Sequence, residues 1–198
     1  MCCNRYAKFQ EDGRNNDGMA EHYYQMAITC DASNGEALSA YAHFLHEKKK
    51  DYPGALKHYR MAVERCYEDA ELHSEFAEFL MESYPEYREM REGEWQDSKK
   101  LAEEQLVQAI ECSPSEPTYY VQLANFLAEV GRKKEAFKMF QKALGMDEGN
   151  ADTLGHYASF LETRKDYDGA EQMFLRAIRA DKRNAVFLYN YALFLQDR

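Results

Sequence analysis

The sequence is poor in residues that interrupt helices. Four prolines and 10 glycines among 198 residues exclude the turn-dense layout of a strand-rich fold and favour long helices. Positive charge is also scarce. Lys and Arg total 25 against 35 Asp and Glu, a formal net charge of −10 with a pI near 5.1, so no broad basic surface awaits a phosphate backbone and nucleic acid is not an expected partner. No apolar run approaches the roughly 18 residues of a membrane span. The opening stretch MCCNRYAKFQEDGRNN lacks the apolar core of a secretory signal. No membrane partner and a cytoplasmic location are therefore expected.

Chemistry-bearing motifs are missing too. The five cysteines are odd in number and form no CxxC, which argues against a disulfide framework or a zinc site. Cys30, Cys66 and Cys112 each follow an alanine that closes a similar phrase, so they read as reduced thiols at helix ends. There is no glycine-rich phosphate loop, no G-x-S-x-G and no H-E-x-x-H, so neither an enzyme nor a cofactor is expected. His43 and His46 could share a helix face, but no third ligand is evident beside them and no metal site is expected. Asp147-Glu148-Gly149-Asn150 and Asn15-Asn16-Asp17-Gly18 lack the full ligand spacing of a calcium loop and read as turns.

What is present is a repeat. A phrase recurs at Tyr6-Ala7-Lys8-Phe9, Tyr41-Ala42-His43-Phe44-Leu45, Phe76-Ala77-Glu78-Phe79-Leu80, Leu123-Ala124-Asn125-Phe126-Leu127, Tyr157-Ala158-Ser159-Phe160-Leu161 and Tyr191-Ala192-Leu193-Phe194-Leu195, with alanine spacings of 35, 35, 47, 34 and 34. A second phrase falls between its copies at Ala20…Tyr24…Ala27, Ala55…Tyr59…Ala62, Ala102…Leu106…Ala109, Ala136…Phe140…Ala143 and Ala170…Phe174…Ala177. Both phrases move together. Bulky residues at three- and four-residue steps lie on one helix face, and alanines at the crossing points let two helix axes approach closely. Tyr59, Phe140 and Phe174 are expected to be buried between the paired helices. Asp51-Tyr52-Pro53-Gly54 and Asp166-Tyr167-Asp168-Gly169 supply turns with Asp51 and Asp166 as N-caps and Pro53 in a first helical turn.

These residues resemble the tetratricopeptide repeat family. Leu154, Tyr157-Ala158, Leu161, Ala170, Phe174 and Ala177 follow the family's pattern in register, as do Leu38, Tyr41-Ala42, Leu45, Ala55, Tyr59 and Ala62 with one extra turn residue. The Trp and Gly of the usual pattern are replaced by a Tyr-Ala-x-Phe-Leu first helix, a variant subtype. The resemblance implies an all-α, right-handed superhelical solenoid of antiparallel helix hairpins over 1–198. The hairpins are read at 1–33, 34–68, 69–115, 116–149 and 150–183, followed by a single helix at 184–198. The third hairpin carries an insertion at about 82–100, within which helices should extend around a loop kinked near Pro85 and Gly93. The insertion reads as a tolerated surface lengthening or, with Trp95 beside Tyr84 and Tyr87, as the candidate insertion contact for a partner.

In the resembling family the first helices line a concave groove. Carried over residue by residue, the lining becomes Asn4, Lys8 and Glu11; Ser39, His43 and His46; Ser74, Glu78 and Met81; Val121, Asn125 and Ala128; Gly155, Ser159 and Glu162; and Tyr189, Leu193 and Gln196. The Lys-Asn-Arg clamp of chaperone-binding members is absent, since Lys8 is followed by Ala40, Ser74 and Glu78. The expected function is a protein–protein interaction scaffold that holds a peptide or helix of basic or neutral character in the groove or along its edges. One alternative is a structural arm of a larger assembly joined by end-to-end stacking. A helical-repeat RNA binder is the other, which a basic groove would favour and Glu11, Glu78 and Glu162 oppose. The C-terminal helix holds more apolar residues than one face can hide, so self-association through it is a further expectation.

Overall fold

The computed structural model describes residues 2–13, 16–82 and 92–197, and all regular structure among them is helical. They fall into two compact units, Met1–Cys112 and Ser113–Arg198. In the first, α1 (Cys2–Lys8) continues through a π-helical turn (Phe9–Gly13) and pairs with α2 (Asp17–Cys30). Helix α3 (Gly35–Phe44), extended by a second π-helical turn (Leu45–Lys49), pairs with α4 (Tyr52–Arg65), and α5 (Ala70–Glu82) with α6 (Glu92–Cys112). In the second unit α7 (Pro117–Glu129) pairs with α8 (Lys133–Met146) and α9 (Ala151–Thr163) with α10 (Tyr167–Ala180), against which α11 (Ala185–Asp197) packs.

Local chemistry fixes the reversals. Asp51 and Asp166 accept the N–H groups of Gly54 and Gly169 at 3.0 and 3.1 Å, satisfying donors that the helix start leaves open. A side chain at either glycine would collide with the capping carboxylate. Lys50 and Lys165, one residue before each cap, take left-handed φ values of 53° and 63°, the reversal that ends the first helix. Asn34 and Asn150 cap α3 and α9 by accepting from Ala37 and Thr153, each at 2.9 Å. Cys66 and Cys112 sit at helix ends, where their thiols donate to the carbonyls of Ser33 and Tyr67.

Alanine makes the hairpins and aromatics join them. Ala42 and Ala158 on first helices, with Ala55, Ala62, Ala170 and Ala177 on second helices, are fully buried. Tyr59, Phe140 and Phe174 are buried as well, but their ring partners belong to the following hairpin rather than to their own. Tyr59 meets Phe76 and Phe79 at 5.7 and 4.9 Å between ring centroids, Phe140 meets Tyr157 and Phe160 at 5.3 and 5.1 Å, and Phe174 meets Tyr191 and Phe194 at 6.0 and 5.4 Å. The alanine seam is too narrow for a ring, so the ring fills the angle to the next helix. Hydroxyls reinforce the same joints: Gln25 and Gln141 donate to Tyr41 and Tyr157 at 3.0 and 2.9 Å, and Tyr191 donates to Glu171 at 3.2 Å.

The insertion lengthens one helix. Helix α6 has 21 residues where α4, α8 and α10 each have 14, about two extra turns. Gly93 therefore lies in helical backbone, not in a kinked loop. Tyr84, Pro85 and Tyr87 lie outside the described residues, as does the side chain of Trp95.

Helix α11 buries Phe187 and Phe194 but leaves Val186, Leu188, Tyr189, Leu193 and Leu195 between 41 and 63% exposed. No second helix among the described residues covers that side. None of the described helices is long and apolar enough to cross a membrane.

Candidate functional site

The first helices of the first unit converge on a cavity of about 490 Å³. Helix α1 and its π-helical turn contribute Asn4, Arg5, Lys8 and Glu11. Helix α3 and the turn that follows it contribute Glu36, Ser39, Ala40, His43 and His46, while α5 contributes Glu75, Glu78, Phe79 and Glu82. Tyr24 and Tyr59 reach in from the second helices. Seven residues of the groove expected from sequence are thus brought together: Asn4, Lys8, Glu11, Ser39, His43, His46 and Glu78. Ser74 is buried and Met81 is half-buried, and neither lines the cavity.

One column of the lining was not expected from sequence. Arg5, Ala40 and Glu75 all stand two residues before the repeat alanine, and all three line the cavity. That offset is legible in the repeat register. Tyr59 was expected in the core, and Tyr24, Tyr59 and Phe79 are both core and cavity wall.

Several lining groups are held by their neighbours. Glu11 is buried and accepts the Tyr24 hydroxyl at 2.8 Å. Asn4 donates its amide N–H to Glu36 Oε1 at 3.2 Å. Because a carboxylate can only accept, this bond fixes the amide orientation, and Asn4 Oδ1 is left buried with no hydrogen-bond partner. Burial pushes the Glu75 carboxyl above the usual carboxylate range, and Glu71 and Glu78 add to that, against Ser39 and His43. Burial pushes His46 below the usual imidazole range, so its ring is neutral at pH 7. That ring is wedged between Tyr52 and Phe79, at 5.4 and 5.1 Å.

His46 does have further metal-ligating neighbours, and His43 is not among them. The donor atoms of His46, Glu47 and Glu82 lie within 4.8 Å of one another, and His46 Nδ1 is 3.3 Å from Glu47 Oε1. One imidazole and two carboxylates suit a borderline divalent cation, and these are the residues that could hold one.

In the second unit the expected lining is more dispersed. Asn125 and His156 approach at 3.3 Å, and Ser159 donates to the Gly155 carbonyl at 3.3 Å. Val121 and Gly155 are buried, and Gly155 is a packing position, because a Cβ there would stand 2.9 Å from the Phe187 ring. Ala128 and Glu162 are half-buried, while Tyr189, Leu193 and Gln196 are exposed on α11.

Residues 127–189 match the family model for the tetratricopeptide repeat. Over that stretch the chain carries the tetratricopeptide-repeat pattern. The crystal structure of TTC0263, a thermophilic tetratricopeptide-repeat protein of Thermus thermophilus, shares the fold with a TM-score of 0.74 and 17% identity, over 98% of this chain and 97% of that one. YrrB, described as a tetratricopeptide-repeat protein with an unusual peptide-binding site, superposes with a TM-score of 0.63 and 19% identity over 96% and 90% of the two chains. Human IFIT1, as a dimer with PPP-AAAA, does so with a TM-score of 0.75 and 21% identity over 94% of this chain and 43% of that one. No curated protein sequence matches the chain significantly. At these identities the likeness is one of fold. Tetratricopeptide repeats place first-helix side chains at fixed offsets, so the chemistry of this chain resides in which residues occupy them.

Proposed function

We propose that this chain is a binding scaffold, not a catalyst, and that it holds a segment of a partner protein against the first helices of its first unit. The observation that supports this is the cavity between α1, α3 and α5, where Glu36, Glu78 and Glu82 are exposed around half-buried Ala40 and buried Ser39. An open recess with exposed polar groups on a rigid aromatic base is suited to docking a peptide or helix. Its acidic lining favours a basic or neutral segment and disfavours a phosphate-rich one. The test is selection of peptides from a random phage library on the full chain, followed by fluorescence polarisation on wild type and on Ala40→Trp, which fills the recess. Selected peptides should lose roughly tenfold or more in affinity for the variant. Equal binding to both proteins would overturn the cavity as the anchor.

The exposed face of α11 favours a second role for the other end, in which two copies associate through this helix. Val186, Tyr189 and Leu193 follow one another at helical spacing and are 41–63% exposed, an apolar stripe that a two-fold pair would cover with its own copy. Light scattering coupled to size exclusion should show a dimer that Leu193→Glu converts to monomer. A monomer at all concentrations, unchanged by that substitution, would remove the role.

A further inference from the structure

We propose that His46, Glu47 and Glu82 bind one divalent transition-metal ion of the zinc class, through an imidazole nitrogen and two carboxylate oxygens, and that the ion ties the second hairpin to the third. The site stands apart from the scaffold reading above and does not depend on it.

Geometry comes first. One donor atom from each of the three side chains lies within 4.8 Å of the other two, and His46 Nδ1 stands 3.3 Å from Glu47 Oε1. Bonds of roughly 2.0–2.1 Å at tetrahedral angles set neighbouring donors about 3.3 Å apart. That pair therefore already has the spacing of two corners of a coordination sphere. Glu82, exposed at the end of α5, has the torsional freedom to bring a third corner in.

The imidazole is held in place before any ion arrives. His46 is 6% exposed, with the rings of Tyr52 and Phe79 at 5.4 and 5.1 Å, so it has little rotamer freedom left to lose on binding. The backbone contributes as well. His46 and Glu47 are consecutive residues of the π-helical turn Leu45–Lys49, and their donor atoms converge there. Single π-helical turns are frequent at functional sites. An ion also has a way in, because His46 and Glu82 both border the cavity of the first unit. Of the neighbouring cations, Lys49 is engaged by Glu21 at 2.8 Å, and Lys50 is exposed but bears on the charge at His46.

The nitrogen donor decides the class of ion. Calcium and magnesium are hard cations that take all-oxygen shells of six or more ligands, and a cluster of carboxylates alone would suit them. One imidazole and two carboxylates suit zinc, cobalt or nickel, with the fourth position left to water. Because the donors come from the turn after α3 and from the end of α5, binding adds to the stability of the joint between those hairpins.

The experiment is calorimetric titration of the full chain with zinc, cobalt, calcium and magnesium chlorides, with the histidine rings followed by NMR. Zinc should bind as a single ion in the micromolar range or tighter, and calcium and magnesium at least about a hundredfold more weakly. Of the six histidines, His46 should shift most. Saturating zinc should raise the thermal midpoint by about 3 °C or more. His46→Gln should abolish binding. Glu82→Gln, which alters an exposed side chain, should weaken zinc at least about tenfold and decides the matter if His46→Gln fails to fold. Lys50→Gln, which removes a repelling charge, should tighten it. Glu129→Gln, at an exposed carboxylate of the second unit, should change nothing. The cobalt form should lack the intense charge-transfer band that a thiolate of Cys30, Cys66 or Cys112 would give.

Equal affinities for zinc and calcium would reduce the site to an acidic patch and overturn the proposal. So would saturation only at millimolar zinc. An affinity unchanged by Glu82→Gln, a largest shift at another histidine, or a thiolate band would place the ion elsewhere and overturn it too.

Discussion

Phe140→Ala should cost the second unit about 3–5 kcal/mol. The ring is fully buried, and it touches Tyr157 and Phe160 of the next hairpin at 5.3 and 5.1 Å. Truncation removes the contact area of a whole ring and leaves a cavity at the joint between α8 and α9. Those helices are held by their own alanine seams and cannot collapse into it. The expected signature is regional. Amide exchange should accelerate in α9 and α10 as well as α8, because a hairpin loses stability when its neighbour's interface is lost. A urea midpoint near wild type, or exchange changes confined to α8, would show that the ring does not join hairpins.

Gly155→Leu should destabilise by about 1–3 kcal/mol, although glycine inside a helix is otherwise a poor choice. Replacing an interior helical glycine with alanine gains up to about 1 kcal/mol in propensity. At this position an added Cβ would stand 2.9 and 3.2 Å from two atoms of the Phe187 ring, so the gain and the clash offset each other for alanine. Leucine adds three more carbons in the same direction and must displace the ring. The double substitution with Phe187→Ala discriminates. If the two residues compete for one space, the Gly155→Leu penalty shrinks by at least about 1 kcal/mol in the Phe187→Ala background. A penalty unchanged by Phe187 would place the conflict elsewhere.

The two substitutions test opposite halves of what was legible. Phe140 and Phe174 stand in a repeated phrase, and their burial follows from spacing alone. Gly155 occupies a column that the family resemblance assigns to the groove, and its packing against Phe187 could not be read from the sequence. The offset of three before the alanine points at the neighbouring first helix. Whether the side chain there meets solvent depends on what that neighbour carries. Ser39 is buried yet lines a cavity, Val121 and Gly155 are buried, and Tyr189 is exposed on α11. The candidate site shows the same division. Asn4, Lys8, Glu11, His43 and Glu78 belong to the expected lining and border the cavity, whereas Glu36, Glu75 and Glu82 border it without having been expected. No rule of spacing says that three helices should bring five carboxylates around one opening.

By itself the sequence determined the hairpins. Alanine and aromatic residues at helical steps leave only one way to bury both faces, and the Asp-x-x-Gly turns at Asp51 and Asp166 fix where the chain reverses into a second helix. These are local decisions, made within a short span of chain by sterics and by backbone donors that must be satisfied. The tertiary structure alone decided which hairpin each ring would join, that His46 would lie beside Glu82 rather than act with His43, and that an Asn4 carbonyl would be buried with no donor. Such outcomes depend on the angle between successive helices. That angle is set by side-chain volumes summed across an interface, and residues far apart in the chain contribute to it jointly.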